Sequence, residues 1–242
     1  MRERLPLLAG LALLAVAIGV GSDLIAGGIR DRNRSNVITV TGSAKRHIVS
    51  DYIVWTASVT SQQPTTAGAL KELAAWTKRI ESFLQGAGAR PDELTEQPIS
   101  TETVVEQGAN GASTGKVSAF KLTRSFELRS ARVTEIAAIV QQSAQLFAQG
   151  IPLSAQPPQY IYTKLSTLRP SMLADATKDA LSRARALVRS TGGHVGRLSG
   201  VNVGVFQVTA PNSTEVSDYG VYDTSTLEKD VTAVVNATFA LG

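Results

Sequence analysis

The pattern of apolar positions changes once along the chain, near residue 30. Before that point, Leu5–Ser22 carries no charged residue and consists mainly of Leu, Ala, Val, Ile and Gly. Eighteen residues at about 1.5 Å rise form a helix of about 27 Å, close to the roughly 30 Å of a bilayer's hydrocarbon core. The segment therefore predicts an N-terminal transmembrane helix in contact with the lipid bilayer through residues 5–22.

This apolar segment has two interpretations, an uncleaved signal anchor and a cleaved secretory signal. The run is longer than the apolar region of most signal peptides, and its Ala-x-Ala sequence, Ala15–Ala17, lies inside it, too early for cleavage. Cleavage after Gly21 or Ser22 remains open, because small residues occupy the required positions. Length and the lack of a well-placed cleavage site favour the anchor.

We assign residues 1–30 to the anchor and the polar, Arg-rich residues 31–36 to a linker. Arginines flank both ends of the apolar run, so the positive-inside rule does not fix the orientation. A short N-terminal tail before a large C-terminal domain is typical of an exported domain. The expected location is the inner (cytoplasmic) membrane, crossed once, with the domain in the periplasm or outside the cell.

From residue 37 onward, segments of period two alternate with segments of period three to four. The strongest strand pattern lies in Val117–Leu128, where Phe120, Leu122, Phe126 and Leu128 alternate with polar residues. The predicted strands are Val37–Gly42, Tyr52–Thr60, Leu94–Val105, Val117–Leu128, Gln159–Leu165, Val195–Val208 and Val231–Leu241. Strands thus account for much of the region after the linker.

Three segments have the apolar spacing of amphipathic helices: Thr65–Ala87, Val133–Phe147 and Pro170–Ser190. Pro170 is placed in a first helical turn, where proline is tolerated. The predicted core-facing residues are Leu70, Leu73, Trp76, Ile80, Phe83 and Leu84 in the first helix, Ile136, Val140, Ala144 and Phe147 in the second, and Ala176, Ala180 and Ala184 in the third. The alanine row would let the third helix lie close to a sheet or another helix.

The order of these elements repeats. Residues 52–128 and 159–241 each run strand, helix, strand, strand, and the 133–147 helix joins them. The prediction is one body over residues 37–242, an α+β fold of duplicated βαββ units with mainly antiparallel sheet and covering helices. Ser199–Gln207 and Val231–Leu241 are both long and hydrophobic, so unless both are central, one offers an edge to another subunit. We therefore expect a homo-oligomer.

Composition narrows the possible functions. The 242 residues are 43% hydrophobic and 18% charged, as in ordinary globular proteins. Cysteine is absent, which excludes disulfides, a thiol nucleophile and cysteine-ligated metal and suits a compartment outside the cytoplasm. Without residues 1–30 the chain has 21 basic and 18 acidic residues, too even a balance for a nucleic-acid partner.

The sequence contains few residues that suggest chemistry. His47 is placed in the turn between the first two strands and His194 after a double glycine, and neither has a second histidine at metal-ligand spacing. No G-x-S-x-G motif occurs. Asn110–Val117 resembles a phosphate-binding loop but lacks the first glycine and the final Ser/Thr, and it precedes a strand, so it predicts a hairpin loop.

The remaining charged and aromatic candidates have ordinary interpretations. The acids Asp92, Glu93, Glu228 and Asp230 are expected to be solvated, and the arginines Arg183, Arg185 and Arg189 to lie on the exposed face of the third helix. Trp55 and Trp76 are expected in the core. We therefore predict no catalytic, cofactor-binding or metal-ligating residues, no cofactor, and no enzymatic activity.

Several motifs follow one another along the chain: Val40–Ala44 with Asp51 and Trp55 downstream, Pro158–Leu165 followed by Arg169-Pro170, then Gly192, Gly196 and Val205–Val208, and finally Lys229–Phe239. Over roughly residues 36–242, these motifs resemble the SIMPL-domain family of bacterial envelope proteins, in its membrane-anchored branch. The resemblance implies a βαββ-type α+β fold, an envelope location, a large ring-like oligomer in at least one member, and a link of some members to oxidative-stress tolerance. The family has no established catalytic residues to carry over.

Three hypotheses for function follow. The first is a non-enzymatic, membrane-anchored, exported protein that assembles through its sheet edges. The second is a binding module for a small ligand or partner protein that uses the loops Val104–Lys116 and Asn212–Glu228. The third is a hydrolase with dispersed residues, for which His47 and His194 would be required.

Overall fold

A computed structural model describes residues 36–109 and 111–242 of the chain. The predicted anchor, and all of the predicted linker except Asn36, lie outside these residues. Within the described part, groups of two or three antiparallel strands are separated by helices, which confirms the α+β class.

The elements in chain order are β1 (Val37–Val49), β2 (Tyr52–Gln63), α1 (Thr66–Gly86), β3 (Leu94–Glu96), β4 (Ser100–Gln107), β5 (Ser113–Ser130), α2 (Val133–Gln142), the single-turn α3 (Gln145–Ala148), β6 (Leu153–Ala155), β7 (Gln159–Ile161), α4 (Leu165–Arg189), β8 (Val195–Val203), β9 (Gln207–Thr209) and β10 (Glu228–Leu241).

The chain divides into two compact units, each assembled from separate segments. The β2–β5 unit contains Lys45–Met172 and Val205–Ala233, and the β8–β10 unit contains the described residues up to Ala44, Leu173–Gly204 and Val234–Gly242. Neither unit therefore coincides with one of the two continuous halves expected from the order of elements.

The sheet of the β2–β5 unit is built on one long antiparallel pair, in which β2 and β5 stay in register from Ile53 opposite Ser130 to Gln63 opposite Phe120. Strands β3 and β4 pair with the far side of β5, and β6 and β7 with the far side of β2. The alternation in β5 confirms the predicted strand, since Leu122, Phe126 and Leu128 are buried. Alternate positions reach one face, so this face forms the core.

Helix α1 packs on that face. Its N-cap residue is Thr65, whose hydroxyl accepts a hydrogen bond from the Gly68 amide at 3.1 Å and satisfies one of the free N–H groups of the first turn. Its buried stripe is Ala69, Leu73, Thr77, Ile80 and Leu84. Trp55 is buried in the same core and Trp76 packs against it, which confirms their predicted place. Leu70, predicted to face the core, is exposed instead.

The sheet of strands β1, β10 and β8 has β10 in the middle. Side-chain hydrogen bonds join Thr39 to Thr238 and Thr41 to Asn236, so β1 and β10 run antiparallel. The predicted alanine row of α4 is fully buried. A Cβ added at Gly42 would overlap the backbone of α4 at Ala176 and Ala180, so this strand residue must be glycine for the helix to lie so close.

The predicted duplication needs one correction, because Gln159–Leu165 is not the first strand of a second repeat. Only Gln159–Ile161 is a strand, β7, and it pairs with β2 at Tyr52–Val54. The place beside β10 is taken by β1. The strand order β1–β10–β8 has the same form as β2–β5–β4, with a first strand that comes from far upstream in the sequence. Local sequence pattern does not encode such a distant pairing.

Helix α4 also begins earlier than predicted. The Lys164 carbonyl accepts hydrogen bonds from the Thr167 and Leu168 amides, so the first turn forms five residues before Pro170, which then lies inside the helix. The start is fixed from outside the helix, because the Asp51 carboxylate accepts hydrogen bonds from the Thr163 amide at 2.7 Å and the Thr163 hydroxyl at 2.9 Å.

The helix predicted over Val133–Phe147 is interrupted. Helix α2 ends at Gln142, and the Ser143 hydroxyl donates to the Val140 carbonyl at 2.6 Å, a local bond that competes with the helical pattern. The following turn changes the register, so Leu146 is buried and Phe147, predicted in the core, is 59% exposed.

Candidate interaction surface

Among the strands that the structure describes, β8 lies at the edge of its sheet, and it is exposed along nearly its whole length. Of its nine residues, Val195–Val203, only Val195 is partly buried and the rest are exposed. Its one paired side faces β10. An edge strand presents unpaired backbone N–H and C=O groups along its free side, which favour pairing with a further strand.

The apolar side chains of β8 lie on the core face of the sheet. Leu198 is opposite Phe239, Val201 opposite Ala237 and Val203 opposite Val235, and directly opposite residues point to the same face. The three β10 residues are buried, whereas their β8 neighbours are 45%, 47% and 47% exposed. Helix α4 packs on the apolar face at Val40, Ala237 and Phe239 and reaches Val195 at the start of β8, but within the described residues Leu198, Val201 and Val203 stay exposed. We call Leu198, Val201 and Val203 the β8 apolar row.

Few charges oppose association at this edge. Arg197 is the only charged residue of β8, and the strand contains no proline or lysine. Natural edge strands usually carry such residues as protection against pairing with other chains. The β8 edge therefore has the backbone, apolar surface and low charge that strand pairing requires.

His47 lies in strand β1, not in the predicted turn between the first two strands. The strand continues through residue 49 because His47 and Lys45 both find acidic partners on β10. Lys45 Nζ lies 2.8 Å from Asp230 Oδ2, and His47 Nδ1 lies 3.3 Å from Asp230 Oδ1. The side chain of His47 is half exposed.

Asp230 is buried, which corrects the expectation of a solvated acid. The hydrogen bond from Lys45 holds the pKa of this carboxyl below its usual range, and bonds from the Asn212 amide and His47 act in the same direction. The second ring nitrogen of His47 faces the Glu228 carboxylate at 3.8 Å. Both nitrogens thus face acids. A Ser-His-Asp site would require one of them to face a serine hydroxyl instead.

Glu93 is likewise buried, while its neighbour Asp92 is exposed as expected. Arg132 holds Glu93 with two nitrogens, Nη2 at 2.5 Å and Nε at 2.9 Å, and the Ser130 hydroxyl donates at 2.6 Å. The Arg132 hydrogen bonds lower the pKa of Glu93 to about 2. These hydrogen bonds hold the end of β5 against the connection between α1 and β3.

The two loops named for the binding-module hypothesis differ in construction. Strands β4 and β5 pair on either side of residues 108–112, which confirms the hairpin predicted in place of a phosphate loop. The loop before β10 is tied internally, because the fully buried Lys229 lies 3.1 Å from Asp223. Val216 and Tyr219 are the most exposed large apolar residues near its tip.

Three of the remaining candidates, Arg185, Arg189 and His194, line one small cavity of about 210 Å³. His194 is exposed, and its backbone exchanges two hydrogen bonds with Gly242. Arg183, Arg185 and Arg189 are exposed on α4, as predicted, and Arg183 pairs with Asp179 at 2.8 Å. Across residues 36–109 and 111–242, no three His, Asp or Glu side chains are grouped to hold a metal ion.

A family assignment follows from comparison with known proteins. The SIMPL family, described as "Protein of unknown function (DUF541)", matches residues 38–239. The chain belongs to the SIMPL family. The match covers nearly all of the region that the sequence motifs indicated. It identifies the family and does not assign the chain to the membrane-anchored branch. No curated protein matches the sequence.

Matches of this SIMPL chain to solved structures are weak. A de novo designed protein, Foldit4, has a TM-score of 0.25 at 9% identity, over 43% of this chain and 93% of the design. A hydantoinase/carbamoylase family amidase from Burkholderia multivorans has a TM-score of 0.22 at 12% identity, over 52% of this chain and 30% of the amidase. The ligand-free regulatory subunit of aspartate kinase from Thermus thermophilus has a TM-score of 0.19 at 12% identity. The match covers 81% of this chain and 88% of that subunit.

None of the helices in the described part of this SIMPL chain combines the length and the hydrophobicity of a membrane-spanning segment. The predicted anchor precedes that part.

Proposed function

We propose that this SIMPL protein is a non-enzymatic, membrane-anchored protein of the cell envelope, with its folded part exported, and that it assembles with copies of itself through β8. The observation that carries the proposal is the β8 apolar row, which lies on the core face of its sheet and is about half exposed among the described residues. Tolerance of envelope or oxidative stress is the proposed physiological role, on the basis of the family resemblance.

A second copy of β8 is the proposed occupant of the edge. A two-fold axis perpendicular to the sheet places two β8 strands antiparallel and keeps their core faces on the same side. The apolar rows of both copies then lie side by side, and the two sheets continue as one. The single Arg197 of each strand offers little electrostatic opposition.

The anchor and the export are supported by the sequence. Leu5–Ser22 has the length and composition of a membrane-spanning helix, and the chain contains no cysteine. Cell fractionation combined with N-terminal sequencing of the mature protein tests this part. We expect intact protein in the inner-membrane fraction, and a soluble product cleaved after Gly21 or Ser22 would contradict the anchor.

Assembly is tested by the mass of the purified full-length protein in detergent, measured by light scattering with the detergent contribution subtracted. We expect a wild-type oligomer at micromolar concentration and a smaller species for Val201→Lys, which places a charge in the apolar row. Val216→Lys is the matched control, because Val216 is exposed outside β8. A strictly monomeric wild type, or equal masses for all three proteins, would contradict assembly through β8.

A further inference from the structure

A cavity of about 440 Å³ lies within the β2–β5 unit, between α1 and the strands β3 and β5. Leu70, Leu73 and Ile99 form its apolar walls, and Thr77 and Arg124 are among the polar residues that line it. The volume is within the range of small-molecule sites, and apolar walls with a few polar groups are the usual composition of such sites. The cavity is separate from the loops 104–116 and 212–228.

Arg124 occupies an unusual position in this cavity. It stands between Leu122 and Phe126 on the core face of β5, opposite the buried Val59, where the alternation calls for an apolar residue. Its Nη1 donates to Glu96 Oε2 at 3.0 Å and to the Gln97 carbonyl at 3.5 Å. Its Nε is buried and has no hydrogen-bond partner among the described residues.

Thr77 provides a second unpartnered polar group from the opposite wall. It lies in the buried stripe of α1 and is only 8% exposed. Its hydroxyl is also without a hydrogen-bond partner in the part of the chain that the structure describes. Buried polar groups are almost always hydrogen-bonded, because leaving one unpaired is costly. Two residues that line one cavity, each with a buried and unpartnered donor, therefore point to a ligand with an acceptor oxygen.

The charges around the cavity favour an anionic acceptor. The Arg124 guanidinium and the Lys78 ammonium contribute two positive charges, while Glu81 and Glu96 are neighbouring acids. A hydrogen bond with Glu96, together with burial, raises the pKa of Glu81 to about 7. Below pH 7 the two acids together carry about one negative charge, so the site has a net charge of about +1.

We propose that this cavity binds a small monocarboxylate with an apolar tail, whose oxygens accept hydrogen bonds from Arg124 Nε and the Thr77 hydroxyl. The tail packs on Leu70, Leu73 and Ile99, which gives the exposed Leu70 of α1 an apolar partner. This ligand site is independent of assembly through β8.

Ionisation of Glu81 makes binding dependent on pH. The charged groups that face it across the cavity are Glu96 on β3 and Arg124 on β5, and Lys78 lies on its own helix. As the pH rises through about 7, the second carboxylate becomes charged and the net positive charge disappears. A carboxylate ligand should therefore bind more weakly at pH 8 than at pH 6, and Glu81→Gln should remove most of this difference.

The test uses the full-length protein in lipid nanodiscs and hexanoate as the probe, with binding followed by ligand-observed NMR and empty nanodiscs as the blank. Acetate lacks the tail, hexanol lacks the charge, and hexylammonium reverses it. We expect saturable binding of hexanoate and at least tenfold weaker binding of the other three. Absence of saturable hexanoate binding, or equal binding of hexanol or hexylammonium, would overturn the proposal.

Two substitutions locate the site. Thr77→Val keeps the shape of the side chain and removes its hydroxyl, and Arg124→Gln removes the guanidinium. Each should weaken hexanoate binding about tenfold or more, as expected for a lost hydrogen bond to a charged group. The controls are Thr123→Val, whose hydroxyl bonds Thr60 on the other face of β5, and Arg129→Gln, which removes an exposed arginine. Unchanged affinity in Thr77→Val, checked for folding by its melting temperature, would place the probe elsewhere.

Discussion

Two buried acids in this SIMPL chain are paired with basic side chains and are not solvated. Glu93 and Asp230 sit where the sequence suggests solvated acids, yet each is buried with a basic residue from a distant segment, Arg132 and Lys45. A carboxylate can be buried only when charge and hydrogen bonds replace its lost hydration. Sequence neighbours do not reveal such partners, because 39 and 185 residues separate the members of the two pairs.

The Glu93–Arg132 pair should make stability depend on acid pH. The folded pKa of about 2 lies below the ordinary value of 4.5, so the stabilisation is complete above about pH 4.5 and is lost as the pH falls toward 2. Glu93→Gln should lower the free energy of unfolding by about 3 kcal/mol at pH 7 and by less than half as much at pH 3. Urea unfolding at both pH values checks this, with the exposed Asp92→Asn as the control. Equal losses at both pH values would contradict the pair.

Glu81 should have the opposite effect. Its folded pKa of about 7 exceeds the ordinary 4.5, so it costs no stability below about pH 4.5, and its penalty grows until the pH passes 7. Glu81→Gln should therefore be more stable than the wild type at pH 8 and nearly equal to it at pH 4.5. The same urea titrations measure this, and a variant less stable than the wild type at pH 8 would refute the raised pKa.

Elements with a strong local period could be predicted from the sequence, and elements fixed by distant contacts could not. Helix α1 lies within one residue of its predicted bounds, and strands β5 and β10 contain their predicted strands but begin three or four residues earlier. Each of the three buries one regular face. The start of α4 depends on Asp51, and the partner of β7 is β2, neither of which local periodicity encodes. The sequence also left open which of the two long hydrophobic strands would be an edge.

The proposed cavity did leave a signal in the sequence. Arg124 and Thr77 are polar residues at apolar positions of otherwise regular stripes on β5 and α1. Such an interruption indicates a buried polar group, but only the structure shows that the two residues line one cavity.

The contact of β1 with α4 gives a prediction at the scale of elements. Gly42→Ala should destabilise the protein by about 1–3 kcal/mol, because its Cβ would overlap the backbone of α4 at Ala176 and Ala180. Gly86→Ala is the matched control: no atom lies near its Cβ position, and alanine in a helix should stabilise by about 0.5–1 kcal/mol. Chemical denaturation of the two variants distinguishes these outcomes, and a neutral Gly42→Ala would contradict the close packing.

For the whole molecule, both compact units are assembled from segments far apart in the sequence. Strand β1 pairs with β10, the last strand of the chain, and the order β1–β10–β8 matches β2–β5–β4. The two sheets differ at the last strand of this series. Strand β4 is held to β5 by a hairpin. Strand β8 carries an apolar row that is exposed among the described residues. The β8 edge is therefore where we expect the molecule to meet another copy.

Site-specific cross-linking in isolated membranes tests this account most directly. The chain has no cysteine, so Val201→Cys introduces one thiol in the apolar row, and Val216→Cys introduces one at a matched exposed valine outside β8. With a short bismaleimide, we predict a covalent dimer from Val201→Cys and monomer from Val216→Cys. Monomer from both variants, or equal dimer from both, would contradict pairing of two copies through β8.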